Sequence, residues 1–153
     1  MRTAIVAAAV GLSIALAPTA AASPTDPTVD TFGGWNRLID DGGAVITIWK
    51  VSDLKPSTDT IPGYPLAGKL WEATAAVRAA KGAVTPIIPD FHARAAGGVN
   101  YPVLWQAATP AGISAATIAQ GGKSTGKLYF DVTGPAPTKV VYTNAGTDLL
   151  VWK

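Results

Sequence analysis

From Leu70 to Lys81 the chain reads LWEATAAVRAAK, and its apolar residues recur at every second position. Trp71, Ala73, Ala75, Val77 and Ala79 share one parity, while Glu72, Thr74 and Arg78 share the other, with Ala76 neutral. The alanines favour helix. The helical alternative, however, lines up Leu70, Ala73, Thr74, Val77 and Lys81, which puts a threonine and a lysine on the apolar stripe. The stretch is therefore predicted as a long strand, with Glu72 pointing outward to solvent.

The same reading extends along the chain. Val45, Ile46, Thr47, Ile48 and Trp49 give a branched and aromatic run, predicted as a strand over Ala44 to Val51. Trp35 to Ile39, Phe91 to Ala95, Tyr101 to Ala108, Lys127 to Val132, Val140 to Thr143 and Leu149 to Trp152 are further short strands. Turn formers separate them: Asp40-Asp41-Gly42-Gly43, Pro62-Gly63, Gly97-Gly98, Gly121-Gly122, Gly134-Pro135 and Asn144-Ala145-Gly146. About seven to nine strands with no helix is the pattern of a two-sheet sandwich. Four of the five tryptophans lie inside strand runs and are expected in the core, with Trp35, beside Gly33-Gly34, expected to be partly exposed.

The N-terminus is organised differently. Residues 1–22 have the layout of a secretory signal peptide: Arg2, an apolar stretch from Ala4 to Ala17, and Ala20 to Ala22 before Ser23 as the cleavage site. Residues 23–29 (SPTDPTV) are expected as an extended arm, and 30–153 as the folded domain. No later apolar run approaches the roughly 18 residues of a membrane span. The chain has no cysteine, so a secreted fold must rest on its apolar core alone. Thiol catalysis, iron–sulfur clusters and cysteine-built zinc sites are excluded, and no cofactor is expected. Arg2 is the only charge in the leader, so its removal lowers the formal net charge of +2 by one. Spread singly along the sequence, the remaining charges form no basic stripe for nucleic acid or an anionic membrane.

Several residues could carry chemistry. GGKSTGKL (121–128) nearly matches a phosphate loop, but one register has Thr117 where glycine is needed, and the other has Leu128 where the metal-binding hydroxyl belongs. Its continuation, LYFDV, is strand-like, which predicts a glycine turn feeding Lys127 to Val132. His92, the only histidine, could pair with Asp90 as a hydrolase base, although no G-x-S-x-G nucleophile accompanies it. Glu72, the only glutamate, has no spacing that suggests a glycosidase pair. Asp40, Asp41, Asp53 and Asp59 could supply hard oxygen ligands to a metal carrier, without calcium-loop spacing. In Ile61-Pro62-Gly63-Tyr64-Pro65, a tyrosine held between prolines would lose little entropy on docking; Ile61, Pro62, Tyr64 and Pro65 are the predicted partner-binding residues.

The runs WKVSDLKPSTDTIPGYPLAGKLWEATAAV, VNYPVLWQAA and STGKLYFDVTGPAPT resemble the mycobacterial family of secreted immunogenic proteins, the MPT/MPB class of antigens. The likeness runs from about Ala44 to Trp152 and thins before it. It implies an immunoglobulin-like, telokin-like β-sandwich without an intersheet disulfide, export, and recognition by host immunity. The resemblance carries over no catalytic residue, and it implies that histidine is not fixed at the position of His92. The expected protein is a secreted, non-enzymatic binding module for a protein, envelope or host-surface partner, with a small-ligand or metal carrier as the alternative and a His92 hydrolase behind it.

Overall fold

The computed structural model describes residues 26–107 and 109–153. Nine strands occur among them: β1 (Thr28–Asp30), β2 (Trp35–Asp40), β3 (Val45–Pro56), β4 (Lys69–Lys81), β5 (Phe91–Ala95), β6 (Asn100–Pro102), β7 (Lys123–Val132), β8 (Pro137–Asn144) and β9 (Thr147–Trp152). They form a five-stranded sheet, β1-β9-β8-β5-β6, facing a four-stranded sheet, β2-β3-β4-β7. The result is the expected immunoglobulin-like sandwich. All pairings are antiparallel except β1 with β9, which run parallel. The described residues include no α-helix, and none of their helices is long and apolar enough to cross a membrane.

Local chemistry explains the turns. Asp41, Gly42 and Gly43 all have positive φ between β2 and β3, where DDGG supplies residues that tolerate it. Ala145 and Gly146, both at positive φ between the paired Asn144 and Thr147, close the β8–β9 hairpin as its two-residue loop. Pro137 starts β8, where its missing N–H costs the ladder least.

The alternation of β4 is confirmed: Ala73, Ala75, Val77 and Ala79 are buried, and Trp71 packs partly buried against the same core. Across from these small side chains, Trp49 of one sheet meets Phe91 of the other edge-on at 4.8 Å, and Phe91 meets Tyr142 at 5.0 Å. Small residues facing large ones let the two sheets interdigitate without voids.

Several strand boundaries depart from expectation. Thr28 and Val29 pair with Leu150 and Val151, so the sheet begins inside the segment expected as an arm. The predicted signal peptide and cleavage site lie outside the described residues. β7 starts at Lys123, not Lys127, so the glycine turn is shorter and KSTG is already strand. The predicted strand from Tyr101 ends at Pro102, because Leu104 to Ala107 form a turn closed by a 3.2 Å bond from the Ala107 N–H to the Leu104 carbonyl. Trp105 is thereby turned out of the core and is 58% exposed. Trp35 is exposed as expected, and Trp49 and Trp152 are buried.

Candidate functional site

Outward positions of β4 and β7 meet across the ladder, with Glu72 opposite Tyr129 and Thr74 opposite Lys127. The β3–β4 connection folds back over them. Ser57 donates its backbone N–H to the Leu70 carbonyl (2.9 Å) and its hydroxyl to Glu72 (2.5 Å), and its oxygen accepts the Asp59 N–H (3.1 Å). Lys127 Nζ lies 2.6 Å from Asp59 Oδ2 and 3.0 Å from Glu72 Oε2, while the Tyr129 hydroxyl donates to the same Asp59 oxygen at 2.6 Å. One ammonium is shared by two carboxylates, and this ties a loop to the sheet.

The titration behaviour follows from that geometry. Hydrogen bonds from Lys127, then from Tyr129, hold the Asp59 carboxyl below the usual aspartate range. Asp59 and then Glu72 push Lys127 above its ordinary value. Burial, then the bond to Asp59, raises Tyr129. A depressed carboxylate pKa means the tie is complete above the ordinary value near 3.8 and is lost as pH falls through the lower native value. Amide exchange across residues 57–66, corrected for intrinsic rates, should therefore accelerate only at strongly acid pH in the wild type. Asp59→Asn should show the fast exchange already at pH 7. Identical protection in the two proteins at pH 7 would mean the tie does not hold the loop.

Glu72 was expected to point to solvent. It does occupy the outward face, but it is only 7% exposed because Ser57, Asp59 and Lys127 close over it. The predicted docking loop sits in the same place. Pro62 and Gly63 form a turn in which Gly63 has φ 75° and the Tyr64 N–H reaches the Ile61 carbonyl at 3.2 Å. Ile61 is buried against Leu70 and Tyr129, and Tyr64 packs half-buried on that cluster with Leu104 and Ala107. Ile61 and Tyr64 thus plug an apolar patch on the sheet's outer face, and of the four predicted partner-binding residues only Pro62 and Pro65 remain exposed. Alternation alone assigns that patch to solvent, which is why the plug looked free.

Beside the network runs a strap, residues 103–107 and 109–113, hydrogen-bonded along the free edge of β7. The Leu104 N–H reaches Tyr129 O (2.8 Å), the Ile113 N–H reaches Lys127 O (3.0 Å), and the Lys127 N–H reaches Ala111 O (2.8 Å). Capping an edge strand in this way removes a template for unwanted pairing. Under the strap lies an open cleft of about 540 Å³, lined among others by Ile88, Val103, Trp105, Ile113, Lys127 and Tyr129. Sequence periodicity marks neither the strap nor Trp105 as a binding feature, since only the break at Pro102 reveals them.

The other candidates are not brought together. The Nδ1 of His92 contacts the backbone carbonyl of Asp90 (3.2 Å), not its carboxylate, on the outer side of the five-stranded sheet. Burial raises the Asp90 carboxyl, which interacts with Tyr142. Asp40 and Asp41 stand at the β2–β3 turn, Asp53 near the far end of β3, and Asp59 is engaged by Lys127. Among the described residues no three His, Asp or Glu side chains cluster to hold a metal.

Comparison with known proteins relates the chain to one family, two immunogenic proteins and two solved structures. A family model described as a domain of unknown function, DUF1942, matches residues 27–152. The immunogenic protein MPB63 of Mycobacterium bovis and the immunogenic protein MPT63 of Mycobacterium tuberculosis are each 57% identical over 127 residues, covering 83% of this chain and 80% of theirs. The crystal structure of MPT63, a secreted protein from Mycobacterium tuberculosis, superposes with a TM-score of 0.80 at 56% identity, over 84% of this chain and 98% of that one. An uncharacterized β-sandwich protein from Clostridium difficile shares the fold alone, at a TM-score of 0.52 and 13% identity over 84% and 94% of the two chains.

Proposed function

The chain belongs to the DUF1942 family and is similar to mycobacterial immunogenic proteins, and from that premise we propose that it is an immunogenic, non-catalytic binding module whose contact surface is the cleft beneath the strap. The observation that carries the reading is Trp105, 58% exposed at the mouth of a cleft of about 540 Å³. Large aromatics that remain exposed over a preformed concavity are the side chains that anchor partners. Around it are few convergent titratable groups: Lys127 is occupied by Asp59 and Glu72, which leaves no free acid–base pair to work on a substrate. Relatives named as immunogenic proteins support presentation outside the cell. The partner is a host-surface or cell-envelope component.

Trp105→Ala is the test. An exposed side chain contributes little to folding, so stability should stay within about 0.5 kcal/mol of wild type. Immobilised protein exposed to mycobacterial envelope fractions and to host-cell surfaces should retain one component saturably, and the substitution should weaken that retention by about thirtyfold or more, in the range of an interface hot spot. Retention unaffected by Trp105→Ala would move the contact elsewhere on the molecule. Absence of retention from either source would reject the binding module.

The cleft volume also lies in the range of about 300–1,000 Å³ typical of small-ligand sites. This favours, as a second reading, carriage of a small apolar ligand in the same place.

A further inference from the structure

The charges that are scattered along the sequence are gathered by strand register onto one surface, the outer face of β2-β3-β4-β7. One row across this sheet reads Arg37, Ile48, Arg78, Lys123; the next reads Trp35, Lys50, Ala76, Thr125. Each of the four strands contributes one cation to these two rows, and neither row contains a carboxylate. The ion pairs among the described residues use Lys55, Arg94 and Lys127, and none uses Arg37, Lys50, Arg78 or Lys123.

Two features distinguish this face from an ordinary solvated surface. Arg78 and Lys123 are direct cross-strand partners, an arrangement of like charges that costs stability unless an anion sits between them. Trp35, 44% exposed, lies among the cations, with Lys50 Nζ 5.0 Å and Arg78 Cζ 5.7 Å from its ring centroid. The ring therefore holds two of the charges on the sheet while keeping part of its own surface open. With strands about 4.8 Å apart, the cations span roughly 14 Å across the sheet.

We propose that this face binds a linear polyanionic saccharide, a sugar chain bearing sulfate or carboxylate groups. Its anionic groups pair with Arg37, Lys50, Arg78 and Lys123, and a sugar ring stacks on Trp35. Guanidinium groups match planar and tetrahedral oxyanions, and the C–H face of a pyranose fits an aromatic ring. A single exposed aromatic on a flat sheet suits one stacked sugar better than single-stranded nucleic acid, which uses successive aromatics along a groove. Because the Trp35 ring is held beside its cations and does not project as a wedge, the face is also poorly shaped for insertion into a bilayer.

Heparin serves as the probe, titrated against the secreted protein in low salt, with uncharged dextran, a single-stranded oligonucleotide and vesicles containing anionic phospholipid as comparisons. Four engaged cations predict that heparin affinity falls about 50- to 150-fold between 50 and 200 mM salt. Arg78→Glu should cut heparin affinity at least tenfold. The same change converts the Arg78–Lys123 repulsion into an attractive pair, so thermal stability should hold or rise, which separates loss of the site from loss of the fold. Trp35→Ala should weaken binding severalfold without altering the salt slope. The proposal is overturned if heparin fails to bind in 50 mM salt, if Arg78→Glu leaves its affinity unchanged, or if the oligonucleotide or the vesicles bind more tightly than heparin.

Discussion

Phe91→Ala should remove a large share of the folding free energy. The ring is fully buried and joins the two sheets, edge-on to Trp49 at 4.8 Å and to Tyr142 at 5.0 Å. Truncating a buried phenylalanine removes its transfer free energy and leaves a cavity, together about 3–5 kcal/mol. Domains of this size are stable by about 5–15 kcal/mol. No disulfide is available to limit the unfolded state, because the chain has no cysteine. Urea denaturation should show a much lower midpoint with an unchanged slope. Phe91→Leu, which refills most of the volume, should fall between the two proteins. A loss below about 1 kcal/mol for Phe91→Ala would mean that the sheets do not depend on this contact for their cohesion.

That core was legible in the sequence, because its signal is local. The period-two pattern of Trp71 to Ala79 identifies the buried face of β4 before any partner is known, and Phe91 to Ala95 appears as a strand with the same bounds in the structure. What could not be read was set by the loops that cover or leave the strands. Glu72 looks solvent-facing by parity, and it is buried by Ser57, Asp59 and Lys127, the last 55 positions away. Tyr64 looks free between its prolines, but it covers Leu70 and Tyr129. Trp105 looks like core until the chain turns after Pro102. In each case the outer face of one sheet is covered or vacated by a loop, and hydrophobic periodicity says nothing about loops.

The charges show the same division more sharply. Arg37, Lys50, Arg78 and Lys123 are isolated in sequence, and a count of signs gives a nearly neutral protein. Their convergence depends on β7, the last of the four strands, pairing with β4 in the register that sets Lys123 opposite Arg78. A shift of that register by one residue would turn Lys123 toward the core and disperse the patch. Net charge therefore constrains solubility and overall field, whereas a binding face is a property of register.

Gly126→Ala tests what the glycines of GGKSTGKL are for. A Cβ at this position would lie 2.5 Å from both the N and Cα of Ile113, where the strap crosses β7, so the obstacle is backbone and cannot rotate away. The substitution should cost about 1–3 kcal/mol, as overpacking does. It should also lift the strap from the strand edge, breaking the bonds that join Ile113 and Lys127 to each other and Lys127 to Ala111. Faster amide exchange at Ile113 and Lys127 would report the displacement, and the Trp105 cleft should lose its wall with it. Gly121→Ala supplies the contrast: its φ is +83° but no atom lies within 4 Å of the added Cβ, so it should cost only the backbone strain of about 1 kcal/mol and leave the strap in place. Equal behaviour of the two variants would show that backbone conformation alone explains the glycines. If Gly126→Ala alone releases the strap, the residues that resemble a phosphate loop are conformational and steric devices, one to turn the chain into β7 and one to let another segment pass over it.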